Sequence, residues 1–171
     1  MSKSEANSRD FAHKIGNLIY SGFSENDLYL WACECARRAI ERAVATGECS
    51  PDDAILCNIV SRVESFARGD ADDLPGVDEI REAIERIAPG SVLDGKTYPT
   101  DKPTPDHYGS LYLLALQAAY STTHNEAPIG AAMAAEYARA IPGAPLGECD
   151  PEEARLQIKR LAEMIEGGIS Q

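Results

Sequence analysis

Leu28-Tyr29-Leu30-Trp31-Ala32-Cys33-Glu34-Cys35-Ala36-Arg37-Arg38-Ala39-Ile40-Glu41-Arg42-Ala43-Val44 is the stretch that decides the fold. Leu28, Ala32, Cys35, Ala36, Ala39 and Ala43 recur at steps of three and four, the spacing that lines one face of an α-helix. Such a face belongs in a core. Glu34 sits one position before Cys35 and three after Trp31, at the edge of that stripe. An unpaired buried carboxylate is costly, so Glu34 either finds a partner there or reaches solvent from the stripe edge.

Outward from this helix, glycines, prolines and capping residues divide the chain into about seven helical segments. No run of alternating β-branched residues separates them. The expected class is all-α, a single-domain helical bundle spanning residues 1–171, a length that can bury a sizeable core. A first helix is expected from about Arg9 to Tyr20, ending near Gly22. Ser24-Glu25-Asn26-Asp27 has the S-x-x-D form that caps the next start, and that helix should stop at Gly47. Ser50-Pro51-Asp52-Asp53 combines a capping serine, a proline at the first helical position and acids at the positive dipole end. The helix it opens carries Leu56, Val60, Val63 and Ala67 as one stripe and should end at Gly69.

A short amphipathic helix is expected over 77–87. Residues 91–105, with Gly95, Pro99, Pro103 and Pro105, read as a long Pro-rich loop. Thr104-Pro105-Asp106 restarts the chain into a helix through about Thr123 that is apolar almost all round and expected to be central. Pro128 opens a helix whose Gly130, Ala131, Ala132, Ala134, Ala135 and Ala138 let a neighbour approach closely. Asp150-Pro151-Glu152-Glu153 repeats the cap, proline and acid start, and Ala154, Ile158, Leu161 and Ile165 mark the buried face of a last helix ending at Gly167-Gly168.

The formal charge is −12, which argues against nucleic-acid binding and makes a basic protein the natural partner. No leader-like start and no membrane-length apolar run is present, so the expected setting is cytoplasmic, with no membrane contact. Five cysteines at 33, 35, 49, 57 and 149 include no C-x-x-C pair, and Cys33 and Cys35 point to different faces of one helix. His13, His107 and His124 lack metal-ligand spacing, and no nucleophile elbow, phosphate loop or dinucleotide fingerprint occurs. Neither a metal nor a cofactor is expected.

Two groups of residues remain as candidate sites. Between Glu48 and Glu79 nine acids face only Arg62 and Arg68, leaving seven of the chain's excess negative charges in this span. Asp70, Asp72, Asp73, Asp78 and Glu79 are its candidate partner-binding residues, because complementary fields speed association and select partners. An acidic block can equally be a solvated face. The second group is an internal polar cluster of Glu34, His124, Arg155 and Gln157, which could hydrogen-bond mutually and fix helix register.

Four motifs, in order, resemble a group of bacterial all-helical immunity proteins that accompany polymorphic toxins. Leu30-Trp31-Ala32-Cys33-Glu34-Cys35-Ala36 resembles that group's early L-W-A-x-[DE]-C-A helix. Pro51, Ala54-Ile55 and Phe66-Ala67-Arg68-Gly69 resemble its next element. Thr122-Thr123-His124 with Gly130-Ala131-Ala132 and Tyr137-Ala138 resemble its T-A-H and G-A-A-x-Y-A segment, and Glu153, Arg155 and Gln157 its final E-x-R-x-Q. The chain departs from the pattern at Phe66, at Leu156 and in the Pro-rich 91–105 segment. The resemblance implies inhibition by binding: a cognate toxin covered through protein–protein contact, without catalysis. Two other readings fit the residues. One is a small-ligand protein or enzyme with a polar pocket between helices, and the other an acidic DNA mimic or anti-defence protein.

Overall fold

Ser24 starts the central helix as its sequence predicts: its Oγ accepts the Asp27 N–H at 3.2 Å and its carbonyl accepts the Leu28 N–H at 3.2 Å. The structure is a computed structural model that describes residues 3–45, 54–74, 79, 82, 127–140 and 149–169. Five helices lie within them: α1 (Lys3–Ile19), α2 (Glu25–Ala45), α3 (Ala54–Ala67), α4 (Ala127–Arg139) and α5 (Pro151–Ile169). The described part is helical, and its only β feature is one antiparallel bridge between Ala140 and Cys149. The helix expected over 105–123 and the 91–105 loop lie outside the described residues. Of the 77–87 segment only Glu79 and Glu82 are described, and both are helical.

The helix ends follow local chemistry. Gly22 and Gly69 have φ of 116° and 80°, a region that side chains with a Cβ disfavour. At Gly69 the N–H bonds the Phe66 carbonyl at 3.0 Å and the Asp70 N–H bonds the Ser65 carbonyl at 2.8 Å. That is the paired closure of a Schellman motif, which satisfies carbonyls the helix would otherwise leave open. Asp150 caps α5 by accepting the Glu152 N–H at 2.9 Å, with Pro151 in the first helical position. Two expected boundaries move: α1 begins at Lys3 instead of Arg9, and α5 continues through Gly167-Gly168 to Ile169. Helical hydrogen bonding tolerates both glycines and a polar first turn that carries no stop signal.

α2 organises the rest. It packs against α3, α4 and α5, while α1 packs on α5 and α4. From Leu28 to Ile40 it is buried on more than the expected stripe: Tyr29, Trp31, Cys33 and Ile40 join Leu28, Ala32, Cys35, Ala36 and Ala39 in the core. Neighbours on several sides account for this. The closest-knit pair is α2 with α4, whose Ala127, Gly130, Ala131, Ala134, Ala135 and Ala138 are all buried. Small residues on both helices let the backbones approach, as the alanine run of α4 implies. Ala134→Leu should therefore overpack this seam and lower stability by about 1–3 kcal/mol. Urea denaturation checks this, and an unchanged midpoint would mean the seam is loose.

Candidate functional site

The first turn of α5 carries Glu153 at the helix end that favours negative charge. Only 2% of its side chain is exposed. On α2, Arg38 and Arg42 stand one turn apart and point at this carboxylate. Arg38 Nε lies 3.1 and 3.0 Å from the two Glu153 oxygens and its Nη2 lies 2.9 Å from Oε1, a fork on a carboxylate. Arg42 Nη1 donates to Oε2 at 3.1 Å and lies 3.9 Å from Asp150 Oδ2. Arg42 Nη2 also donates to the Ala138 carbonyl in the last turn of α4. One guanidinium thus fastens α2 to the end of α4 and the start of α5.

Gln157, one turn beyond Glu153, is fully buried. Its Nε2 donates to Glu153 Oε1 and to the Ala135 carbonyl of α4, both at 3.0 Å. Its Oε1 accepts from Arg139 Nη1 at 3.4 Å, and its backbone carbonyl accepts from Trp31 Nε1 at 3.4 Å. Among the described residues no buried side-chain nitrogen or oxygen lacks a hydrogen-bond partner. Burial alone would lower the affinity of Arg38 for its proton, but the Glu153 hydrogen bond and the nearby Cys35, Glu153 and Glu34 hold it above the ordinary value. Arg139, buried with no carboxylate bonded to it among the described residues, moves the other way: burial lowers it against the pull of Glu136 and its other neighbours. Arg38 and Arg42 between them bond the Glu153 carboxylate and the Ala138 carbonyl, so the arrangement ties α2, α4 and α5 together.

Both α2 thiols are sealed. Burial, reinforced by Glu64, raises Cys33, and burial outweighs Arg38 to push Cys35 from 9.0 up to about 12. Glu64 of α3 adds to the rise at Cys33 and Glu153 of α5 to that at Cys35, in keeping with the different helix faces their two-residue spacing gives them. Neither should react with iodoacetamide until the protein unfolds, which mass spectrometry of native and denatured samples will show. The raised values also set a pH dependence. In the unfolded chain these thiols ionise near 9, whereas in the folded chain they stay protonated. Their contribution is therefore fully present below pH 9 and is lost as pH rises through the 9 to 12 window. The expected loss is on the order of 1 kcal/mol per thiol at pH 10. Cys35→Ala should flatten that decline, and an alkaline profile identical to wild type would refute the assignment.

No family model, curated protein or solved structure matches the chain. The likeness to immunity proteins therefore rests on the sequence motifs above.

Of the expected polar cluster, Gln157 lies at the centre and Glu34 at the margin. Glu34 pairs with Arg160 of α5, whose Nε reaches its two oxygens at 3.1 and 3.0 Å, and this hydrogen bond is the main reason Arg160 is held above its ordinary value. Arg155 requires correction, because it is exposed on the outer side of α5. Helical phase explains this: Glu153 and Gln157, four apart, share the inward side, and Arg155, two from each, faces away. His124 lies outside the described residues. The residues missed were Glu153 as the hub and Arg38, Arg42 and Arg139 as its surround. The available signal was two i, i+4 pairs, Arg38/Arg42 and Glu153/Gln157, of matching chemistry.

On the acidic side, Asp70, Asp72 and Asp73 are exposed just beyond the Gly69 turn. Asp78 lies outside the described residues. Glu79 forms an ion pair with Arg62, and Glu64 pairs with Arg37 at 2.8 Å, tying α3 to α2. Of the block's described acids, Glu79 is thus paired from within the span and Glu64 from α2, while Asp70, Asp72 and Asp73 are exposed. Among the described residues no group of three or more His, Cys, Asp or Glu could hold a metal ion, and no helix is long and apolar enough to cross a membrane.

Proposed function

We propose that this chain is an immunity-type protein that binds and neutralises a cognate bacterial toxin through protein–protein contact, meeting a basic surface on the toxin with Asp70, Asp72 and Asp73. The supporting observation is that these three exposed carboxylates follow a closed Schellman turn. The turn anchors the start of the acidic segment to the end of α3, while the half-buried Leu74 packs against the core at its far side. Fixing a charged segment at both ends lowers the ordering cost of docking. Its negative field steers a cationic partner toward it.

The order of the four motifs supports the same reading. A toxin acting on nucleic acid would present a phosphate-binding surface, and carboxylates could occupy it in place of phosphates. The inward network of Glu153 then serves as scaffold, holding α2, α4 and α5 while α3 carries the recognition end.

The test pairs this protein with the product of the neighbouring gene and measures association at low and high salt. Charge-led docking weakens as salt screens exposed charges. Replacing Asp70, Asp72 and Asp73 together by Ala should slow association roughly tenfold or more and leave the melting temperature within about 2 °C, since exposed carboxylates contribute little to stability. Association that ignores both salt and the triple substitution would overturn the assigned surface. An absence of any complex with that neighbour would overturn the assigned partner.

A further inference from the structure

We draw no further inference here: the strongest candidate, the guanidinium cluster of Arg38, Arg42 and Arg139 around Glu153 and Gln157 between α2, α4 and α5, belongs to the site already described and, among the described residues, leaves no buried side-chain nitrogen or oxygen for a ligand to satisfy.

Discussion

Glu153→Ala should destabilise the protein by about 3 kcal/mol, near the lower end of what breaking a buried ion pair costs. The loss does not come mainly from the missing carboxylate. Arg38, Arg42 and the Gln157 amide all donate to it, and its removal leaves those donors without their acceptor. Arg38 and Arg42 keep 26% and 40% of their side-chain exposure, so water takes up part of the deficit and the upper end is not reached. In a domain of this size each kcal/mol shifts Tm by roughly 2–4 °C, giving a fall of about 6–12 °C. Glu153→Gln keeps acceptor geometry without the charge and should fall between wild type and Ala. Glu34→Ala is the internal comparison: its partner Arg160 is 45% exposed and Glu34 itself 32%, so the cost should stay below about 1 kcal/mol. A melting temperature for Glu153→Ala within 2 °C of wild type would show that the network does not hold the three helices together.

Trp31→Ala should cost about 3–5 kcal/mol, the range for emptying a large aromatic site in a packed interior. Trp31 is wholly buried and heads the fully buried side chains by volume. It lies in the helix that packs against α3, α4 and α5, so no single neighbour can move in to close the cavity. Trp31→Phe retains a ring but loses the Nε1–H donor to the Gln157 carbonyl and should cost less than half as much. Chemical denaturation followed by circular dichroism measures both variants. As the chain's single tryptophan, Trp31 also reports on unfolding of the wild type through its fluorescence. A loss under 1 kcal/mol for Trp31→Ala would mean that α2 is not the centre of the core.

The helix starts at Ser24 and Asp150 and the stops at Gly22 and Gly69 were legible in the sequence, because capping and positive-φ chemistry act within a few residues. The close packing of α4 was legible for a similar reason: a run of alanines has few other uses in a buried helix. The polar cluster was legible only in part. Helical phase puts Glu153 and Gln157 on the inner side of α5 and Arg155 on the outer side, but that Arg38 is their neighbour depends on which helix lies opposite. Arg38 meets Glu153 across 115 residues of chain, and no local pattern encodes that meeting. The acidic block was likewise legible only in part. Its count was correct, yet Glu64 is bonded by Arg37 from α2, outside the span counted.

That long reach has a consequence for how the chain is made. A ribosome adds about 5–20 residues per second, so roughly 6–23 s separate the synthesis of Arg38 from that of Glu153. Through most of that interval α2 lacks α4 and α5, and its tryptophan, its small-residue seam, Arg38 and Arg42 are without their final partners. The core closes only when the last helix arrives. Local helices can form early, but the contacts that secure them are among the most distant in the sequence, an ordering that slows folding and lengthens exposure to aggregation. Newly made chains, more than finished ones, should be the clients of chaperones.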